Sequence, residues 1–282
     1  MPRDGWRVWA AVILWAAGAC GQSLPLEPPR DAGASITGSF EGWFTNPDGT
    51  FSLLLGYYNR NRNQEVEIPV GPDNRIEPGG PDRGQPTHFY PGRNWGMFRV
   101  EVPRDFGENK ITWTLTVNGQ TTIVPANLKA DWVISPFQEA ATSNTPPVLG
   151  FEEKGPTVQG PLSMMVERTA QVGVPLPLPV WVSDDAKFST SSGVRPKVMP
   201  PPVRLRWSLY RAPGAVTIAD ARPAVKPMDK PGVPFSGTAS TTATFSEPGE
   251  YILHVTANDY SGEGGGGFQC CWTTARVKVT VH

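Results

Sequence analysis

The chain has 282 residues, of which 30 are glycine and 31 proline, together roughly a fifth of the length where about 12% is average. Both residue types break helices, so helical bundles and coiled coils are excluded. A net charge of -1 with only 18% charged residues excludes nucleic acid as a main partner, because phosphate binding needs a clustered basic surface.

Hydrophobic residues make up 39%, with 10 Trp, 12 Phe and 6 Tyr, enough to build cores rather than a disordered chain. What remains is a turn-rich, all-β protein. Residues 1–21 read as an export signal. Arg3 and Arg7 precede the apolar run 9–19, which is too short to cross a bilayer of ~30 Å as a helix. Ala17-Gly18-Ala19 is a small-residue cleavage pattern. The cysteine that follows, Cys20, leaves two further readings open, a lipidated first residue or a retained N-terminal anchor. Residues 22–35 are Pro-rich and form a spacer.

The first domain is expected over 36–143. Two strands, 36–44 and 51–58, flank Asn46-Pro47-Asp48-Gly49, which matches a type I turn position by position. A short strand is expected at 65–70. Residues 73–92, rich in Gly, Pro and charge, read as a long surface loop. Strands resume at 97–102 and 110–117, where Ile111, Trp113, Leu115 and Val117 alternate with threonines. Asn118-Gly119 supplies a type I′ turn into 121–124. Short strands separated by Gly/Pro turns predict an antiparallel β-sandwich.

Residues 144–161, with Pro146-Pro147, lose strand periodicity and read as a linker. The second domain, 162–282, carries strand patterns at 162–172, 180–182, 203–210, 241–245, 249–258 and 275–281. Ordered motifs run through it. Val182-Ser183-Asp184-Asp185 comes first, then Leu205-Arg206-Trp207 and Ala212-Pro213-Gly214. Glu247-Pro248-Gly249-Glu250-Tyr251 and Ala257-Asn258-Asp259 close the set. In order and spacing these resemble polycystic-kidney-disease (PKD) domains, which are extracellular Ig-like β-sandwiches. The resemblance covers roughly 172–282 and implies a Trp in the core of a central strand. The expected architecture is all-β: two antiparallel Ig-like β-sandwiches in series after the signal segment.

Chemistry is sparse. The chain holds no G-x-S-x-G and no H-E-x-x-H, and its histidines, His88, His254 and His282, show no ligand-like pairing. His254 is expected on the strand face opposite the core. No catalytic residues are assigned, and carboxylates such as Glu41, Glu65, Glu67 and Glu101 read as solvated strand residues. Asp184, Asp185 and Asp259 lie in inter-strand turns and could supply hard oxygen ligands to calcium, or simply cap turns. No other cofactor is expected. Tyr57, Tyr58, Arg60, Arg62, Tyr90 and Trp95 could form a sugar-stacking surface. Alternatively, Arg60 and Arg62 pair with Glu65 and Glu67. Cys270 and Cys271 read as one buried and one peripheral thiol, as a disulfide between neighbours, or as metal ligands. The expected function is an exported, periplasmic, cell-surface or secreted, non-catalytic interaction or structural protein of the cell envelope. It would bind a protein or polysaccharide and touch a membrane only through its N-terminal signal or lipid anchor. The alternative is a carbohydrate-active enzyme or its accessory binding unit.

Overall fold

The computed structural model describes residues 28–140, 142–188, 197–261 and 270–282. The leader and Cys20 lie outside them. The described residues build two β-sandwiches.

In the first, β1 (Ile36–Thr45), β2 (Phe51–Asn59) and β6 (Gly92–Val102) form one antiparallel sheet. The other contains β4 (Asn74–Glu77), β7 (Lys110–Val117) and β8 (Gln120–Asn127). Between them the inward residues Leu53, Leu55, Phe98, Ile111, Trp113 and Leu115 make one core. The two turns adopt the geometry their residues favour. Gly49 N–H donates to Asn46 O at 2.9 Å, and Asn118 and Gly119 both have positive φ. Register breaks in β1 beside Glu41 and in β2 beside Gly56. The bulged Glu41 is buried and accepts from Arg93 Nη2 at 2.6 Å and from Gly96 N at 2.7 Å.

Residues 73–92 are not a surface loop. They contain β4 and β5 (His88–Phe89), and β5 pairs with β3 (Val66–Glu67), which is all that remains of the longer strand expected at 65–70. The polar composition misleads because Asn74 and Gln85 are buried and bonded. Asn74 Nδ2 donates to Ile68 O and Pro86 O, while its Oδ1 accepts from the Trp113 indole at 3.0 Å.

In the second sandwich, one sheet runs β10 (Thr157–Gln159), β9 (Val148–Gly150), β12 (Leu176–Asp184), β16 (Phe235–Phe245), β14 (Val216–Ile218), with β15 (Lys226–Pro227) also on β16. The other runs β11 (Met164–Ala170), β18 (Trp272–Val281), β17 (Gly249–Asn258), β13 (Arg204–Arg211). The β11–β18 pair is parallel, an exception to the expected antiparallel arrangement. Residues 144–161 are not a bare linker, since β9 and β10 add an edge to the first of these sheets. Trp207, Val180, Phe245, Tyr251, Leu253 and Val277 fill the core.

The outer face of the β13–β17–β18 sheet is not left to solvent, because the first sandwich covers it. Tyr210 packs into the first core, and Trp272 joins Phe44, Leu54 and Ile134. Arg276 Nη2 donates to Met97 O at 3.0 Å and to Tyr210 Oη at 2.9 Å. Arg211 forms a bidentate pair with Asp82 at 2.8 and 2.9 Å and also donates to Gln85 O. His254 does face away from its own core, but it is buried there, its ring 5.8 Å from that of Tyr210. Burial, then the charges of Arg276 and Arg206, push its pKa down to about 3, so it is neutral.

Candidate functional site

A cleft lies where the sandwiches meet. Glu65, just before β3, and Glu67 within it stand two residues apart, so their side chains share one side of the extended chain. His88 sits directly opposite Glu67 in the β3–β5 register. Its imidazole lies between the two carboxylates. Nδ1 meets Glu67 Oε1, and Nε2 stands 2.9 Å from Glu65 Oε2. Burial opposes charge on His88, yet the bonds and charges of Glu67 and Glu65 outweigh it and raise its pKa. The Tyr90 ring stands against that of His88, with centroids 4.6 Å apart. Its hydroxyl accepts from Leu209 N–H at 2.9 Å across the domain junction. From the second sandwich, Arg206 approaches the Tyr90 ring at 5.8 Å. Arg206, Arg222, Ala212 and Pro213 complete the walls of a cavity of 690 Å³.

The expected sugar surface does not assemble. Tyr57 is a core residue whose hydroxyl accepts from Tyr90 N–H at 3.0 Å. Arg60 is buried, bonds Ser35 and Thr37 and lies over the Tyr58 ring, anchoring the spacer to β1. Arg62 approaches Asp31 at 3.9 Å. Neither arginine pairs with Glu65 or Glu67, which bond His88 instead. Trp95 lies under Arg93, 3.9 Å from guanidinium to ring centre. Of the six residues, only Tyr90 reaches the cleft.

A second cluster lies where the chain passes between sandwiches. Asp184 and Asp259 are both buried at the strand ends. Burial first, then the neighbouring charges of Asp259 and Asp185, push Asp184 up to about 7. Asp259 is raised by burial despite its bonds from Ser261 and Asn144. Asn144 Nδ2 donates to Asp259 Oδ2 at 2.5 Å, and Ala186 N donates to Asp184 Oδ2 at 2.8 Å. Asp184 Oδ1 and Asn144 Oδ1 are buried without a protein partner. Asp185 is turned elsewhere, accepting from Thr145 N and Oγ1 and pairing with Lys187 at 3.5 Å. Among the described residues no three His, Cys, Asp or Glu side chains converge as a metal set. The oxygen cluster is therefore two aspartates and an asparagine, rather than the three aspartates expected from sequence. Asn144 was hidden in a stretch that reads as linker.

Cys270 and Cys271 are joined by a disulfide, and both are buried, so neither is a peripheral thiol. Their sulfurs lie 4.0 and 3.5 Å from Asn144 O, so Asn144 contacts both the disulfide and Asp259.

No family model matches the chain, and no curated protein matches it. Among solved structures it is similar to domains 4 and 5 of the S-layer protein SbsC, at 12% identity and a TM-score of 0.24, covering 88% of this chain and 98% of that one. It is also similar to a titin Ig tandem, at 9% identity and a TM-score of 0.22, covering 88% and 99%. A third similar structure is the D00-D0 domain of intimin, at 11% identity and a TM-score of 0.23, covering 87% and 100%.

Proposed function

We propose that this is an exported, non-catalytic envelope protein whose two sandwiches act as one rigid block, binding a protein or polysaccharide. The observation that carries the reading is the junction. Tyr210, a strand residue of the second sandwich, is packed in the core of the first. A block welded in this way holds a surface in fixed relation to its attachment point, which suits presentation more than catalysis. The leader pattern at residues 1–21 and the disulfide between Cys270 and Cys271 support export, since disulfides persist in oxidising compartments. The ordered motif around Trp207 and Tyr251, both in one core, supports a PKD-like second sandwich. Fractionation of the native host, with mass spectrometry of the mature N-terminus, tests the reading. A cytoplasmic chain beginning at Met1 would sink it.

Hydrolysis of a glycoside is the weaker reading. A hydrolase places its two carboxylates across the scissile bond, with space between them for the sugar. Here the imidazole of His88 fills the gap between Glu65 and Glu67.

A specific observation favours calcium at the second cluster. Asn144 Oδ1 and Asp184 Oδ1 are buried acceptors without protein donors, beside two aspartates whose burial disfavours charge. A hard cation ligated by these oxygens would satisfy the acceptors and neutralise the carboxylates together.

A further inference from the structure

We propose that the cleft between the Glu65–His88–Glu67 wall and the Arg206–Arg222 wall is a binding site for a neutral glycan. The inference rests on the reading of the chain as an envelope binding protein and names the site and the ligand class.

The charge pattern decides the class. One wall presents two carboxylates bridged by a histidine, and the other presents two guanidiniums. A polyanion would bring its charge against Glu65 and Glu67. A polycation, such as a Lys-rich peptide, would bring its charge against Arg206 and Arg222. Either would leave like charges facing each other in a partly desolvated space, which costs affinity. A hydroxyl group is donor and acceptor at once, so it bonds a carboxylate on one side and a guanidinium on the other. A polyhydroxylated, uncharged chain satisfies both walls.

The shape agrees. The cavity of 690 Å³ is within the range of about 300–1,000 Å³ for sites that hold small ligands. Ala212 and Pro213 give it an apolar edge for the C–H face of a sugar ring. Trp207 also lines it, and the indole N–H of Trp207 has no protein acceptor.

The first-sandwich wall is held before any ligand arrives. Glu67 is fixed by the His88 opposite it, and Tyr90 is fixed at its ring by His88 and at its hydroxyl by Leu209 N–H. Little freedom is left for Glu67, His88 and Tyr90 to lose on binding. Because Glu65 and His88 come from the first sandwich and Arg206 and Arg222 from the second, the site exists only when both are docked.

The test uses the full mature chain on an array of neutral glucan, mannan and chitin oligosaccharides, with uronic-acid oligosaccharides beside them. Affinity for the best neutral oligosaccharide is then measured by calorimetry for Glu65→Gln, Arg222→Ala and the control Lys110→Ala. Both cleft positions are exposed, so these variants keep the fold, and circular dichroism verifies it. Ala212→Trp, which fills the cleft from its apolar edge, is a second and independent block. The expected result is binding to a neutral oligosaccharide that falls about tenfold or more in each cleft variant and is unchanged in Lys110→Ala. Neutral-glycan binding that survives all three cleft variants overturns the assignment and leaves the envelope-binding reading standing. Binding only to uronic-acid oligosaccharides, or to none of the array, also overturns it. The mature N-terminus and the host fractionation decide the envelope reading separately.

Discussion

A methyl group on Gly96 would stand 2.6 Å from Cζ2 of Trp272, so the β6 backbone of the first sandwich lies directly on an indole of the second. Gly96 also has a φ of +51°, in the left-handed region that favours glycine. One position therefore serves the chain's own conformation and the domain junction together.

Gly96→Ala is expected to destabilise the protein by about 2–4 kcal/mol, from backbone strain plus overpacking against a buried ring. Gly92→Ala is the comparison. It also has positive φ, but its added carbon meets nothing within 4 Å, so only the conformational cost of about 1–2 kcal/mol applies. Urea unfolding of both variants gives the difference. Equal losses would mean that the indole yields and the junction is soft.

Tyr210→Phe removes a hydroxyl that donates to Gly84 O and accepts from Arg276. Both partners lie in the domain junction, so stability is expected to fall by about 1–3 kcal/mol. Calorimetry of the parent chain should show a single cooperative transition, because Tyr210 belongs to the core of one sandwich and the strand of the other. Two resolved transitions would show that the junction opens before either sandwich melts.

Asp184 predicts a calcium response that grows with pH. Its folded pKa of about 7 is above the unfolded value near ~3.9. The stability this group contributes is therefore complete below about pH 4 and is lost as pH rises through 7. Buried Glu41, also pushed up to about 7, contributes in the same direction but has Arg93 and Gly96 as partners. Without calcium, the melting temperature should fall between about pH 5 and pH 8. Millimolar calcium should restore part of that fall, and the Asp184→Asn variant should lose the response. A melting temperature indifferent to calcium at the higher pH would remove the cation from the site.

His88 predicts the same direction from a cationic group. Its folded pKa is raised, so the contribution is fully present below the unfolded value near ~6.5 and is lost as pH rises through the folded value. The imidazole proton resonances should titrate with a midpoint above ~6.5, and Glu67→Gln should move that midpoint down. A midpoint below the ordinary value would mean that burial outweighs the two carboxylates.

Local patterns were legible where one strand and its turn carry the whole signal. The hairpin around Asn46-Pro47-Asp48-Gly49 and the β7–β8 turn at Asn118-Gly119 are both set by residues within a few positions of each other. The stretch 73–92 was not legible. Its polar residues are satisfied by distant groups, as where Asn74 holds Ile68 O, Pro86 O and the Trp113 indole. Hydropathy counts such an asparagine as surface.

The candidate sites divide in the same way. The spacing of Glu65 and Glu67 places them on one side of a strand, but only pairing with β5 brings His88 between them. Asp184 and Asp259 were visible as turn aspartates, whereas Asn144 was not, because its role depends on a contact 115 residues away. Tyr57 looked like a ligand platform and is core, on the inner face of β2 with Leu53 and Leu55.

By itself the sequence determined an all-β, turn-rich chain, because Gly/Pro punctuation and period-two alternation act over a few residues. The tertiary structure decided that the two sandwiches are welded face to face rather than strung on a linker. That weld depends on Tyr210 and Trp272, outward-facing on their own sheet and buried against residues distant in sequence, and on Arg211 and Arg276, which bond across to Asp82 and to Met97 O. The weld also makes the cleft, since opposite walls of a cavity come from chain segments that no local pattern relates.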